Sequence, residues 1–196
     1  MLIKLTSKCS MMCPHCMEDA QVTGTMMTLE TFKQAVKFGT YIGNAHFALS
    51  GGEPTENEYI TEMCEWLDLA TGCNFTIVSN GTWLKDERKR QRVEWISRLR
   101  SYIGMQVYTN KQWYKDYDYV VNHKHEYERY NKVIVDIDTH IFMQDLGRAK
   151  TSPEAQKEVD ANPHFMSCPN TVLTAIQVPD PQEFGITMMM HRQFCK

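Results

Sequence analysis

One short stretch near the N-terminus decides what this chain can fold around: Lys8-Cys9-Ser10-Met11-Met12-Cys13-Pro14-His15-Cys16. Its three cysteines have the spacing C-x3-C-x2-C, which lets three thiolates wrap one face of a small metal centre. A cubane iron–sulfur cluster normally takes four cysteine ligands, so three local cysteines would leave one iron without a protein ligand. Such an iron is open for chemistry, as is the free coordination position of a catalytic zinc. The spacing differs from that of structural zinc sites and of ferredoxins.

Two further motifs each follow an apolar run. Ser50-Gly51-Gly52-Glu53-Pro54 follows residues 46–49, and Ser79-Asn80-Gly81-Thr82 follows residues 75–78. Both runs have the length and composition of short buried strands. Parallel α/β proteins build their sites at the carboxyl ends of strands. We therefore expect the side chains after these two runs at the mouth of the fold.

Together, the three motifs resemble the signature of the radical S-adenosylmethionine (radical SAM) enzymes. The cysteine run matches C-x3-C-x-Φ-C with His15 at the Φ position, and residues 51–54 match the GGEP element. Residues 79–82 stand where many members place a SAM-contacting turn. The resemblance implies a [4Fe–4S] cluster on the three cysteines, with the amine and carboxylate of SAM on the fourth iron. Reduction would then cleave SAM to a 5′-deoxyadenosyl radical, which abstracts hydrogen from a substrate.

The resemblance also implies which residues contact SAM. The ligands of the cluster would be Cys9, Cys13 and Cys16. His15 would lie near the adenine, where a flat ring can stack. Glu53 would accept hydrogen bonds from the positively charged SAM amine.

Residues at the ends of three strands complete the predicted site. Gly51 and Gly52 permit close approach of the backbone to a ligand. Ser79 and Asn80 would meet the methionyl or ribose part of SAM, and Tyr108 would meet the SAM ribose or the substrate. Each motif also has a plainer interpretation. A structural zinc site completed by His15 or a distant thiol would explain the cysteines, and an ordinary Asn-Gly-Thr turn would explain residues 79–82.

The first half of the chain alternates strands and helices. Strands are predicted at residues 2–5, 46–49, 75–78, 105–108 and 132–137. Helices are predicted at residues 28–42 with Thr28 as the N-cap, from a cap at Thr55 or Asn57 to Gly72, and at residues 85–102 with Ile103 on the same apolar side. This alternation is typical of βαβ units and a parallel sheet. The fold class is therefore α/β, and the resemblance implies a shortened partial (β/α)6 radical SAM barrel.

The C-terminal part differs from the alternating pattern, so we predict a core domain at residues 1–145 and an extension at residues 146–196. Gly147-Arg148-Ala149 resembles a GRA segment that follows the barrel in members with C-terminal extensions. A helix starting near Pro153 and a hairpin around residues 179–182 resemble a truncated twitch domain. Relatives with SPASM or twitch extensions bind an auxiliary cluster beside such a hairpin. Only Cys168 and Cys195 flank it here, so we expect one cluster per chain.

Composition narrows the class of protein further. The 196 residues carry a net charge of −3 and show no basic face, so no nucleic-acid partner is expected. The sequence contains no apolar run of membrane-spanning length and no signal-peptide pattern at its N-terminus, which predicts a cytoplasmic protein without a membrane partner. Seven cysteines, an odd number, suit reduced metal ligands better than a secreted disulfide framework.

The GRA segment and the hairpin favour a radical SAM enzyme that acts on a peptide or protein, as maturases do. A glycyl-radical-enzyme activase and an enzyme with a small-molecule substrate remain open, and so does a non-catalytic iron–sulfur or metal-binding module. Radical SAM chemistry also needs an electron donor such as flavodoxin or ferredoxin. The SAM-specific features, Glu53 and its two preceding glycines, are what a simple iron–sulfur carrier would not need.

Overall fold

The structure, a computed structural model, describes residues 1–16, 18–138 and 147–161. Its centre is one parallel sheet whose strands lie side by side in the order in which they occur along the chain. The five strands are β1 (Leu2–Lys4), β2 (His46–Ser50), β3 (Asn74–Ser79), β4 (Tyr102–Thr109) and β5 (Val133–Ile137). Each of the five predicted strands is therefore present, and the α/β fold class is confirmed.

Helices connect the strands. The α-helices are α1 (Leu29–Tyr41), α2 (Ile60–Ala70), α3 (Glu87–Ile96), α4 (Tyr117–Asn122), α5 (Lys124–Tyr127) and α6 (Pro153–Ala161). Short 3-10 turns lie at Pro54–Glu56, Thr82–Lys85 and Gly147–Thr151. Among the described residues, no helix combines the length and the apolar character that a membrane crossing needs.

Alternation along the strands builds the core on one face of the sheet. Leu49, Ile77, Met105 and Val133 are register partners across four neighbouring strands, and all four are buried. They belong to one apolar cluster with the inward side chains of α1, α2 and α3. On the opposite face, alternate side chains such as Ile134 remain exposed. One helix-covered face and one open face are what a partial barrel requires.

The first helix follows the sequence pattern closely. The Thr31 backbone N–H donates to the Thr28 hydroxyl oxygen at 3.2 Å, so Thr28 caps α1 as predicted. Asn57 behaves differently from a cap. Its side-chain oxygen accepts from the Tyr59 N–H in the turn before α2, and its buried amide donates to the carbonyl oxygens of Leu5 and Met27.

The helix predicted at residues 85–102 is wrong in its C-terminal part. Asp86 caps its start through the Arg88 and Lys89 N–H groups, but α3 ends at Ile96. Tyr102 already belongs to β4, where it is the register partner of Phe75 and contacts its ring. Ile103 is consequently half exposed on a strand. Sheet pairing overrides a helical apolar spacing that continues past the true end of the helix.

The predicted division at residues 145/146 stays a prediction. Gly147–Thr151 and α6 are described, and Pro153 occupies the first turn of α6 as expected. Their apolar side chains Ala149 and Ala155 pack with Trp113, which lies between β4 and α4. The predicted hairpin around residues 179–182, with Cys168 and Cys195, lies outside the described residues.

Candidate functional site

The carboxyl ends of β2, β3 and β4 surround a cavity of about 440 Å³, a volume typical of small-molecule sites. The loop that follows β1, described at residues 8–16 and 18–21, closes one side of it, and we call this segment the cysteine loop. Nine of the ten predicted site residues line the cavity: Cys9, Cys13, His15, Cys16, Gly51, Gly52, Ser79, Asn80 and Tyr108. Glu53, the tenth, lies behind this wall.

The three cysteines of the loop are free thiols at one end of the cavity. Burial, together with the neighbouring Cys9 and Cys16, raises the pKa of the Cys13 thiol to about 12, against a smaller lowering by Arg148. Burial likewise raises the pKa of the Cys9 thiol. Thiols that disfavour each other's ionisation are a suitable ligand set for iron, because a bound cation reverses this balance and deprotonates them.

Two N–H groups point at the cysteine sulfurs. The Asn80 side-chain amide donates to Cys9 Sγ, and the Ala20 backbone N–H donates to Cys16 Sγ, both at 3.4 Å. Hydrogen bonds of this kind to ligand sulfurs are one of the ways in which proteins tune iron–sulfur clusters. Within the described residues, no three His, Cys, Asp or Glu side chains are arranged for a single metal ion. A four-iron cluster is wider than an ion, so its thiolates stand further apart.

The backbone of the cysteine loop is tied together before any ligand is bound. The Cys9 N–H donates to the Gln21 carbonyl at 2.8 Å, and the Gln21 N–H donates to the Ser7 carbonyl at 2.9 Å. Met12 adopts a left-handed conformation with φ 53°, which helps the chain turn tightly between the first two cysteines. The residues present therefore fit a cluster with three protein ligands.

We call residues 50–54 the GGEP turn. The structure explains the presence of glycine in this turn by a backbone contact that the sequence did not indicate. A Cβ on Gly52 would lie 2.3 Å from the Lys8 carbonyl oxygen. The Gly52 N–H donates to the Thr6 carbonyl at 2.6 Å, and the Glu53 N–H donates to the Lys8 carbonyl at 2.9 Å. The sequence analysis predicted that these glycines let the backbone approach a ligand. They also let the turn pack closely against the backbone that leads into the cysteine loop.

Glu53 is completely buried, and its carboxylate accepts from protein donors. The Thr55 hydroxyl donates at 2.7 Å, the Ser79 hydroxyl at 3.0 Å and the Asn80 backbone N–H at 2.8 Å. Burial raises the pKa of Glu53, and these hydrogen bonds offset part of the rise. The carboxylate therefore holds the GGEP turn against the end of β3. Its predicted contact with the SAM amine stays a prediction.

Two buried polar atoms in the cavity wall find no hydrogen-bond partner within the described part of the chain. They are His15 Nδ1 and the hydroxyl oxygen of Thr109 at the end of β4. The His15 ring packs against Tyr114 and Trp113, and burial, together with Arg148, lowers its pKa to about 4. The imidazole is therefore neutral near pH 7. Buried polar atoms left alone in a cavity wall are where a bound molecule would supply the partners.

Tyr114 and Arg148 also line the cavity, although sequence analysis assigned neither to the site. The only signal for Arg148 was its place in the GRA segment, and Tyr114 had none. Cys64 is fully buried in the apolar core, as expected for a small hydrophobe on α2. His123 precedes α5 and His125 lies within it, and His123 Nδ1 is 2.8 Å from the Tyr119 carbonyl oxygen.

Comparison with known proteins gives one family and several similar chains. Residues 3–136 match the model of the Radical SAM superfamily. A curated S-adenosylmethionine-dependent nucleotide dehydratase of a Thermoplasmatales archaeon (strain ISO4-H5) is 31% identical over 97 residues. That match covers 48% of this chain and 34% of the dehydratase, so the chain spans about a third of that relative.

Two solved structures are similar to this chain at low identity. BtrN in complex with AdoMet and 2-DOIA has a TM-score of 0.54 and 14% identity, over 78% of this chain and 61% of BtrN. Streptococcus suis SuiB bound to S-adenosylmethionine has a TM-score of 0.44 and 11% identity, over 84% of this chain and 47% of SuiB. The similarity to BtrN concerns the arrangement of strands and helices.

Proposed function

This chain belongs to the radical SAM superfamily, and on that premise we propose that it is an enzyme that cleaves S-adenosylmethionine reductively and removes hydrogen from a substrate. The family implies two cofactors, a [4Fe–4S] cluster and S-adenosylmethionine. When bound and reduced, the cluster supplies the electron that breaks a carbon–sulfur bond of SAM and leaves a 5′-deoxyadenosyl radical. That electron would come from a donor such as flavodoxin or ferredoxin.

One observation carries the proposal. The three free thiols of the cysteine loop, the GGEP turn and the ends of β3 and β4 all line a single cavity. A cluster carrier would need only the thiols, whereas this cavity continues past them along the carboxyl ends of the strands. Its volume of about 440 Å³ leaves room for a ligand beside the cysteines.

Cys9, Cys13 and Cys16 would hold the cluster. Asn80 and the Ala20 N–H would then donate hydrogen bonds to thiolates, which are better acceptors than thiols because they are charged. Three protein thiolates supply one ligand fewer than a four-iron cluster takes, and the remaining position is available to SAM.

SAM would contact the remaining predicted residues, His15, Gly51, Gly52, Ser79, Asn80 and Tyr108, which all line the cavity. The neutral His15 ring and the Thr109 hydroxyl offer it unused hydrogen-bonding atoms. We assign Glu53 a different part from the one that the resemblance implies. Its oxygens accept from Thr55, Ser79 and Asn80, so it would act on SAM through the turn that it holds.

The curated relative favours a nucleotide as the first substrate to test, because its name describes it as a nucleotide dehydratase. A peptide or protein remains the second candidate. Its support comes from the GRA segment and from the hairpin predicted around residues 179–182, which lies outside the described residues. A nucleotide is also smaller than a peptide, which suits a cavity that would have to hold SAM as well.

Anaerobic reconstitution with iron and sulfide, followed by SAM and dithionite, tests the proposal. We expect 5′-deoxyadenosine and methionine from the wild type and none from a Cys9→Ala/Cys13→Ala/Cys16→Ala variant. Cys73→Ala is the matched control, because Cys73 is a free thiol outside the cavity and its loss should leave iron content unchanged. A reconstituted protein that carries iron but neither binds nor cleaves SAM would point to the non-catalytic module instead. Adding nucleoside triphosphates or peptides, and measuring 5′-deoxyadenosine formation, then ranks the substrate classes.

A further inference from the structure

Arg148 donates hydrogen bonds to three backbone carbonyl groups of the cysteine loop, which lies far from it in sequence. The Arg148 backbone N–H donates to the Cys16 carbonyl at 2.8 Å. In its guanidinium group, Nη1 donates to the Cys13 carbonyl at 2.9 Å and Nη2 donates to the Ala20 carbonyl. Two of the three carbonyls belong to predicted cluster ligands. A planar fork with fixed N–H directions suits this task better than a single ammonium group does.

Apolar packing anchors the segment that carries Arg148. Ala149, the next residue, packs with Trp113 and Ala155. Tyr114 contacts this group and also the apolar cluster formed by Cys9, Met11 and Ala20. The guanidinium side chain is only 17% exposed. Packing and hydrogen bonds therefore both place Arg148 beside the cysteine loop.

Arg148 also brings a positive charge to the cavity wall, and no other described lysine or arginine lines the cavity. Its main acceptors are carbonyl oxygens, which carry no net charge. The carboxylate nearest to it, Asp19, lies 3.4 Å away and is half exposed, so water screens that pair. Glu18, the one other charged side chain among the described lining residues, is paired with Lys4, so it offsets the guanidinium charge at the site only in part.

We propose that Arg148 is a positioning residue for the cysteine loop and that its charge raises the reduction potential of the cluster which that loop would hold. The second half rests on the proposed function, and the first half does not. Reduction adds a negative charge to a centre that already carries thiolates, and a fixed cation beside it stabilises the reduced form. A higher potential would ease the transfer of an electron to the cluster, which must precede the cleavage of SAM.

Hydrogen exchange of the metal-free protein tests the positioning role. Arg148→Lys and Arg148→Gln both remove the forked guanidinium group. We therefore expect the Cys9 and Gln21 amides to exchange about tenfold faster. A change of this size corresponds to the loss of about one hydrogen bond or slightly more. Arg98→Gln is the matched control, because Arg98 is a surface arginine paired with Glu94. Unchanged exchange in both Arg148 variants, with circular dichroism of the wild-type form, would overturn the positioning role.

A redox titration of the reconstituted protein, followed by electron paramagnetic resonance, tests the effect of charge. We expect Arg148→Lys to keep a potential near that of the wild type and Arg148→Gln to shift it downwards. A tenfold lower ratio of reduced to oxidised cluster at a fixed solution potential corresponds to about 59 mV for one electron. Equal potentials in the wild type and Arg148→Gln, at equal iron content, would refute this half. A wild type that binds no cluster would refute the proposed function, while the exchange experiment still decides the positioning role.

Discussion

Glu53 shows how one buried carboxylate can organise two motifs that are distant in sequence. Thr55, Ser79 and Asn80 donate to it, so the GGEP turn and the end of β3 share one acceptor. The Ser79 hydroxyl also accepts a hydrogen bond from the Gly81 N–H, which connects Glu53 to the turn after β3. The sequence pattern identified Glu53 as a site residue, but it did not indicate that Ser79 and Asn80 donate to its oxygens, because those contacts depend on the tertiary fold.

Glu53→Gln should lower the free energy of unfolding by about 1–3 kcal/mol, because the amide replaces one accepting oxygen by a donor that faces other donors. Urea unfolding of the metal-free protein measures the change. Glu58→Gln is the control, since Glu58 is exposed nearby and its replacement should stay within about 0.5 kcal/mol of the wild type. An equally small effect of Glu53→Gln would contradict a structural role for its carboxylate.

Thr109→Val should weaken SAM binding by about fivefold, the effect of one hydrogen bond of about 1 kcal/mol. The folded protein should lose no stability, because the Thr109 hydroxyl has no partner within the described residues. Thr61→Val removes a second buried hydroxyl of the same kind on α2, away from the cavity, and should leave SAM affinity unchanged. Isothermal titration of the reconstituted proteins compares the two variants. Equal affinities for all three proteins would show that SAM makes no use of this hydroxyl.

At the scale of the elements, the site depends on how the GGEP turn fits against the segment between β1 and the cysteine loop. The turn donates to the Thr6 and Lys8 carbonyls on that segment, which leaves no room for a side chain at Gly52. Because β1 and β2 are neighbours in the sheet, strand pairing brings the two segments together before any cofactor is bound.

Gly52→Ala should displace the cysteine loop and reduce the iron content after reconstitution. Its Cβ would lie 2.3 Å from the Lys8 carbonyl oxygen, and overpacking of this kind costs about 1–3 kcal/mol. Gly43→Ala serves as the comparison, because Gly43 has φ +88° but open space around it, and the strain costs about 1–2 kcal/mol without touching the site. Full iron content in Gly52→Ala, measured as iron and sulfide per chain, would speak against this fit.

The elements themselves could largely be predicted from the sequence. Apolar runs of strand length and the Thr28 cap identified the strands and α1, since these signals are local. The end of α3 could not be predicted, because Leu99 and Ile103 continue its apolar spacing while Tyr102 is already paired in the sheet. Asn57 was identified as a polar residue near a helix start, yet its contacts with Leu5 and Met27 depend on the tertiary fold.

At the scale of the whole molecule, we expect one cluster per chain. Iron and sulfide analysis of the reconstituted wild type should give about four irons per chain, all lost with Cys9, Cys13 and Cys16. Cys64 and Cys73 are free, and neither lines the cavity. About eight irons, falling to about four in a Cys168→Ala/Cys195→Ala variant, would instead show a second cluster.

Most site residues as far as Tyr108 could be predicted from the sequence, whereas those further along the chain could not. Three motifs in strand order brought eight predicted residues to one cavity, and the end of the fourth predicted strand added Tyr108, because the carboxyl ends of parallel strands meet at one edge. Trp113, Tyr114 and Arg148 could not be placed in the same way. They lie in or after the irregular part of the chain, where no periodicity indicates which side chains turn towards the sheet.

The hydrogen bond from Arg148 to the Cys13 carbonyl joins residues that are 135 positions apart, so the two partners leave the ribosome at different times. Synthesis releases the N-terminus first, and Cys9, Cys13 and Cys16 emerge long before the arginine. During that interval the carbonyl groups at Cys13 and Ala20 face water, and the nascent thiols are accessible to stray metal ions and oxidants. Iron insertion into a properly shaped loop is therefore expected after translation of Arg148, and a cell that makes this protein has to keep the emerging cysteines reduced until then.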